Sequence, residues 1–423
     1  MERKMRIAHL LIMMRVLHLN TSDTNGGAAR AAYRLHSGLR SNGVDSRMLV
    51  QNKDSDDNQV YGPEGVKGKI KSKIRRRFDK IPLKRYPDRD PEAFSPAWTP
   101  ERRAKQIVKH DPDIVHLHWV SGGFIRPETI AQIDVPVVWT LHDMWPFTGG
   151  CHYSKSCIKY QTECGSCPHL KSDQSDDLAS SVWKRKKKYW GEIDITVVSP
   201  SQWLAKQARE SSLLGEMQID VVPNCINVDL FYPRSQTEGI QHFDLDQDRQ
   251  YIIFGSAYKT HRKGGDLLLE ALKNLRGAPE IVALTFGNIS IQHQEFPVPV
   301  RHLGRLSEDE LRLLYSTADL TVIPSREDNL PNIAVESIAS GTPCVAFDVG
   351  GLADIITHGK NGYLAEPFDI DDLTKGITWA VESPQRKEQL SEQSRRVAED
   401  RFSVKTVIDK YLDIYRSIAP YQE

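Results

Sequence analysis

The chain runs to 423 residues and carries 56 Lys and Arg against 56 Asp and Glu, a formal net charge of zero. With 39% hydrophobic and 26% charged residues it has the balance of a globular protein of two or three domains, which excludes collagen, coiled coil and a mostly disordered chain. A neutral total also argues against a nucleic-acid coat, and no run of about 20 apolar residues is present to cross a bilayer as a helix.

Residues 1–13 read as an extension, because Met14-Arg15-Val16-Leu17-His18-Leu19 begins the chain afresh as a buried strand. Beyond it, short apolar runs alternate with helical patterns, the mark of βαβ units and parallel sheets. In the first half, strands are predicted at 15–19, 46–50, 114–117, 137–141, 196–199 and 219–222. In the second half they fall at 251–255, 281–286, 300–303, 320–323 and 343–347. Helices are predicted over 28–42, 264–275 and 307–317, the last opened by the capping-box pattern Ser307-Glu308-Asp309-Glu310. A polar stretch near 229–249 reads as the linker between halves. A last helix over 404–418 carries apolar residues at 404, 407, 408, 411, 414 and 415, so one face must pack.

Two strand ends carry the candidate chemistry. The first strand runs into a loop containing Gly26 and Gly27, followed by a helix whose free N–H groups suit an anion. The strand ending at Ile323 runs into Pro324-Ser325-Arg326-Glu327-Asp328-Asn329-Leu330-Pro331-Asn332, and a helix follows that contains Glu336. Asp328 and Glu336 offer carboxylates to a ribose diol, while the loop through Asn329, Leu330, Pro331 and Asn332 faces amides toward phosphate. The next strand ends in Gly350-Gly351, again at the carboxyl end, where ligands of open α/β sheets bind.

These residues carry a resemblance. The run from Pro324 to Gly351, with Asp354, His358, Asn361-Gly362 and Tyr363, resembles retaining glycosyltransferases of family 4 over roughly residues 14–418. Trp139 to Trp145, continued through four cysteines to Pro168, is similar to a subgroup assigned to colanic-acid-type and other exopolysaccharide assembly. The resemblance implies an α/β protein of two Rossmann-like, doubly wound domains facing a cleft, the GT-B fold. The first domain, 14–230, would take the acceptor and the second, 231–403, the nucleotide sugar. The helix of 404–423 would pack back on the first.

The implied roles follow. Glu336 binds the donor ribose, and Lys263 binds the diphosphate with Lys259 or Arg262 as helpers, since Ala257 replaces the family's arginine. Asp328 stands where the family usually has a Glu contacting sugar hydroxyls. His142, at a strand end, lies near the transferred sugar, and His118 is the likelier of His116 and His118 to line the site. The donor would be a UDP- or GDP-sugar and the acceptor a glycan or polyprenyl-diphosphate-linked saccharide. Transfer would proceed with retention and without a catalytic metal. The rivals are a sugar-nucleotide epimerase of the same fold and a nonenzymatic nucleotide-sugar-binding partner.

Two features stand apart. Cys151, Cys157, Cys164 and Cys167 fall within 17 residues, enough for a structural zinc site, with two disulfides or free thiols as the alternatives and His152 and His169 as reserve ligands. Basic residues mixed with apolar ones fill 67–89 and 183–190, a pattern suited to an anionic membrane surface, and no nucleic-acid motif accompanies them. The expected location is cytoplasmic, at the inner face of the plasma membrane. The zero charge also divides: 35 basic and 27 acidic residues lie in 1–230, against 21 and 29 in 231–423.

Overall fold

The computed structural model describes residues 14–63, 65–255, 261–275, 280–287 and 296–419, so the expected extension 1–13 and Lys259 lie outside the described residues. The chain forms two compact units, residues 1–223 with 408–423, and residues 224–407.

The first unit holds seven strands: β1 (Arg15–Ser22), β2 (Asp45–Asn52), β3 (Val60–Tyr61), β4 (Ile114–Leu117), β5 (Val137–Thr140), β6 (Ile195–Ser199) and β7 (Ile219–Val221). They pair in parallel in the order β3-β2-β1-β4-β5-β6-β7. One face is a core built around Trp139, Trp145, Trp190 and Phe124, all fully buried. Each of these tryptophans also places its indole N–H on a backbone carbonyl: Trp139 on His118, Trp145 on Ser95 and Trp190 on Pro146. That pairing removes the penalty of burying a polar tip.

The second unit holds β8 (Gln250–Phe254), β9 (Ile281–Thr285), β10 (Val300–His302), β11 (Leu320–Ile323), β12 (Cys344–Phe347) and β13 (Gly362–Ala365). They form a parallel sheet in the order β10-β9-β8-β11-β12-β13. Both faces are packed, as parallel sheets require. The helix Glu308–Thr317 opens with the expected capping box, Ser307 and Glu310 each accepting the other's amide.

Three departures from the sequence reading have physical causes. The stretch read as a linker contains the helix Gln236–His242, whose Gly239 lies so close to Thr317 that a Cβ would collide with it. Packing of that helix on Glu308–Thr317 makes the segment part of the second unit rather than a spacer. Strands β3 and β13 went unpredicted: one is two residues long, and the other begins in a glycine behind an Asn-Gly turn signal. The last helix, Val404–Ile418, matches its expected span.

Candidate functional site

In the second unit the loops after β8 and β11 and the end of β12 are locked together by backbone contacts that only glycine permits. Gly264 (φ +66°) would drive a Cβ into the Pro324 carbonyl, and Gly350 (φ +60°) would do the same to the carbonyl of Asp328. The Gly351 amide then donates to that Asp328 carbonyl at 2.9 Å, and the Arg326 amide donates to the Arg262 carbonyl at 2.8 Å. Arg326 completes the stitch with a forked pair to Asp266 at 2.7 and 2.5 Å.

This frame brings the expected donor residues together. The Lys263 ammonium lies 2.5 Å from one Asp328 oxygen, which also accepts from the Ser325 hydroxyl at 3.1 Å. Arg262 reaches the other Asp328 oxygen at 3.4 Å and donates to the Glu327 carbonyl at 2.7 Å. Burial pushes the Asp328 carboxyl up, but the charges of Lys263 and Arg262 and the two hydrogen bonds outweigh it and hold the group below the usual carboxylate range. Glu336 is buried on the helix Asn332–Ala339 and accepts from the Tyr315 hydroxyl at 2.9 Å. Pro331 caps the N-terminus of that helix, whose first turn carries no acidic residue.

In the first unit a file of imidazoles runs from His142 and His118, just past the carboxyl ends of β5 and β4, to His18 in the middle of β1. His142 Nε2 lies 3.2 Å from His118 Nδ1, and His118 Nε2 lies 2.9 Å from His18 Nδ1. His18 Nε2 is buried and has no hydrogen-bond partner. Burial pushes His18 and His118 well below the ordinary imidazole range, and the neighbouring histidines push them further. Burial pushes His142 down to about 4, with Asp143 opposing it. All three are therefore neutral near pH 7, so each has one N–H and one lone pair. The orphan at the far end then decides the direction. A buried bare lone pair costs less than a buried bare N–H, so His18 keeps its proton on Nδ1 and donates to His118. His118 in turn donates from Nδ1 to His142, leaving His142 as the Nδ1–H tautomer. An imidazole so held is a hydrogen-bond donor and a poor base.

His116 takes no part in this file. Its two nitrogens meet the Tyr415 hydroxyl at 2.6 Å and the Thr140 hydroxyl at 2.8 Å, which ties the end of the last helix to the first unit's sheet. The loop after β1 places Gly26 at φ +105° as the residue preceding the helix Gly27–Ser41, a conformation that favours glycine.

Comparison with known proteins agrees with this geometry. The family model described as Glycosyltransferase Family 4 matches residues 25–230, and that described as Glycosyl transferases group 1 matches residues 235–397. The chain belongs to glycosyltransferase family 4. The putative colanic acid biosynthesis glycosyl transferase WcaC of Escherichia coli K12 is 25% identical, the match covering 96% of this chain and all of that one. The MMP alpha-(1->4)-mannosyltransferase of Mycolicibacterium hassiacum is 27% identical over 77% of this chain and 75% of its own. Among solved structures, sucrose-phosphate synthase from Thermosynechococcus elongatus matches with a TM-score of 0.68 at 18% identity, covering 96% of this chain and 98% of that one. Anabaena Alr3699/HepE, solved with UDP and glucose, matches at 0.64 and 17%, covering 96% and 100%. The glycosyltransferase thus has the GT-B fold, with two Rossmann-like units.

Not every expected residue of this glycosyltransferase sits where the sequence placed it. His118 is only 3% exposed with both ring nitrogens occupied, so it backs His142 instead of lining the site. The Leu330 side chain belongs to the apolar core, where it anchors the loop. Trp183, Lys186 and Trp190 are buried, so 183–190 is a core-facing helix segment that leaves only Lys184, Lys187 and Lys188 exposed. The residues that sequence reasoning missed are His18, Ser325, Tyr315 and Arg326. Ser325 and Arg326 lay inside the motif, whereas no local signal marks His18 or Tyr315.

The four cysteines of the loop line one pocket, and none is in a disulfide. His152 is held by Asp143 at 2.6 Å and Ser95 at 2.8 Å, and His169 by the Ser154 carbonyl at 3.1 Å, so neither is in reserve. The Gly149 amide donates to Cys164 Sγ at 3.2 Å. Burial pushes the Cys164 and Cys167 thiols up to about 12 and about 11. Beside Cys151 and Cys164 lies the buried ammonium of Lys186, which donates to the Trp145 and Thr148 carbonyls and sits 3.7 Å from the Trp145 ring centre. Among the described residues, the set of three potential ligands whose donor atoms lie within 4.8 Å of one another is His18, His116 and His118; the cysteine sulfurs are spaced more widely. In the histidine set His116 and His118 use both ring nitrogens in hydrogen bonds and His18 Nε2 has no partner, whereas the cysteine set places soft donors beside a buried cation.

Proposed function

We propose that this glycosyltransferase moves a sugar from a UDP- or GDP-linked donor to a glycan or lipid-linked acceptor with retention of configuration, during polysaccharide assembly. The observation that carries the reading is the frame of Lys263 on the loop after β8, Asp328 on the loop after β11 and Glu336 on the helix that follows it, closed by Gly264 and Gly350. The relationship to WcaC and the nucleotide held by HepE support the pathway and the donor class. Glu336 takes the ribose hydroxyls. Asp328 holds the Lys263 ammonium in place, so that the diphosphate meets a positioned cation together with the amides of the 328–332 loop. The acceptor hydroxyl oxygen attacks the anomeric carbon as the bond to the diphosphate oxygen breaks. The electron pair leaves with the diphosphate, which takes the acceptor proton. His142, a neutral donor, hydrogen-bonds the sugar and is not asked to act as base.

Nucleoside diphosphate release and the anomeric configuration of the product test this. Lys263→Met should lower kcat/KM for the donor by about 10²-fold or more. Breaking a buried pair can itself cost about 3–5 kcal/mol, so folding is checked by thermal melting. Unchanged donor KM and turnover, or a product of inverted configuration, would sink the assignment.

We further propose that Cys151, Cys157, Cys164 and Cys167 hold a structural zinc ion, with the Lys186 ammonium balancing its charge. Four sulfur ligands leave no open position, so the ion would shape the loop and not the reaction.

A further inference from the structure

The helix Gly65–Asp79 is built inside out. Its buried positions are Gly68, Ser72 and Asp79, with Arg75 half-buried among them, one helical face without an apolar side chain. Each is fixed to the first unit. Gly68 packs on Pro63, and Ser72 hydrogen-bonds Asn52. Arg75 donates to the Gly123 carbonyl at 3.1 and 2.8 Å and to the Pro100 carbonyl at 3.0 Å. Asp79 accepts from the Trp98 amide at 3.2 Å and the Thr99 hydroxyl at 3.0 Å.

The outward face is the apolar one. Val66, Ile70, Ile74 and Phe78 are 75%, 52%, 57% and 43% exposed, one helical turn apart, and Ile81 extends the row at 39%. Five of the ten large apolar side chains exposed among the described residues therefore lie on this one segment. A helix that serves only its own fold shows the reverse polarity. Six exposed cations flank the row: Lys67, Lys69, Lys71, Lys73, Arg76 and Arg77. Among the described residues, Lys69 alone of these has an acidic partner, Asp54 at 3.0 Å, and no Asp or Glu lies between Gly65 and Phe78. Nucleic acid would want the cations without the apolar row. A protein partner's apolar groove would want the row without a one-sign fringe. An anionic bilayer wants both together.

We propose that this helix docks the first unit on an anionic bilayer, with Val66, Ile70, Ile74 and Phe78 at the acyl boundary and the flanking cations among the headgroups. The anchor is wired to the chemistry. Asn52, which receives Ser72, donates to the Thr21 carbonyl at 3.3 Å, near the end of the strand that runs into Gly26 and Gly27. A lipid-linked acceptor would thus arrive beside that loop; this last point rests on the glycan-transfer reading, and bilayer binding does not.

Flotation of the full chain with vesicles of phosphatidylcholine alone, or of phosphatidylcholine with phosphatidylglycerol, tests the docking without donor or acceptor. Binding should be at least about tenfold stronger to the anionic vesicles and should weaken with salt. The Ile70→Asp/Ile74→Asp and Lys71→Glu/Lys73→Glu double variants should each lose about tenfold or more. Lys184→Glu/Lys187→Glu, on the other basic stretch, should bind as wild type. Nucleoside diphosphate release with a water-soluble acceptor should be unchanged in the helix variants. Equal binding to both vesicle types, or wild-type binding by Ile70→Asp/Ile74→Asp, overturns the proposal. So does a micromolar dimer that this variant dissociates, since it would assign the row to a second copy. Loss of transfer with vesicle binding intact would count against the proposed reaction and leave the docking standing.

Discussion

The histidine file shows how buried residues set the state of His142, the imidazole proposed above to meet the sugar. His142 is held as a donor only because His118 donates to it, and His118 donates only because His18 ends in a bare lone pair. Replacing His118 by Phe keeps the ring and removes both hydrogen bonds. We expect kcat to fall by about 10²-fold, the cost of a misplaced catalytic group, with donor KM within a factor of about two. His118→Gln, which can donate again, should recover part of the loss. A KM effect without a kcat effect would mean that His118 shapes binding instead. At the same scale, the Asp328 side chain is engaged by Lys263, Arg262 and Ser325, which is why we assign it the task of positioning the cation.

At the scale of elements, the cysteine loop is a segment with little apolar matter to order it, held by contacts to its neighbours. Asp177, the N-cap of the helix Leu178–Trp190, accepts from the Ser180 amide at 3.0 Å and from the Cys167 amide at 2.8 Å, so the helix start and the loop end share one carboxylate. The buried Lys186 belongs to the same helix. Burial pushes its ammonium down to about 7, with Cys151 and Cys164 opposing the shift, and a metal tetrathiolate would give it a lasting counter-charge. Protein purified without added metal should carry about one zinc per chain. Lys186→Met should lose zinc to a chelator about 10–100-fold faster, as is typical when a supporting contact is removed. Elemental analysis and thiol counting under native conditions decide it. Zinc well below one equivalent with four titratable thiols would end the idea.

At the scale of the whole molecule, a set of buried histidines gathers in the first unit. His18, His36, His116, His118 and His142 all belong to the first unit, and burial pushes each of them down, His36 and His142 to about 4. Their folded values lie below the unfolded value of about 6.5, so the unfolded chain binds protons first as pH falls. Stability should be full above about pH 6.5 and decline toward pH 4, by up to about 1.4 kcal/mol per pH unit for each histidine involved. Seven of the eight tryptophans lie in residues 1–223, so indole fluorescence reports the first unit almost alone. A urea midpoint by fluorescence that stays flat from pH 7 to pH 5 would contradict this account. The charge division belongs to this scale as well. The half with the excess of Lys and Arg carries the inside-out helix, so its positive field and the proposed membrane face coincide.

Alternation of apolar runs with helical periods was enough to place most strands and the two-part α/β plan, because buried parallel strands and their covering helices leave local signatures. The Asp328-to-Glu336 loop and helix start and the paired glycines were legible because tight turns at strand ends demand particular residues at particular positions, and Lys263 was legible through the family resemblance. What escaped the sequence depends on partners distant along the chain. His18 meets His118 across 100 residues, and Tyr315 meets Glu336 from another helix. Two lysine-rich segments of like composition went opposite ways. Tryptophans at 183 and 190 turned one into core, while a Gly-Ser-Asp face turned the other outward. Composition states which side chains a segment has, but which of them face water is settled only when a neighbouring element accepts or refuses each face.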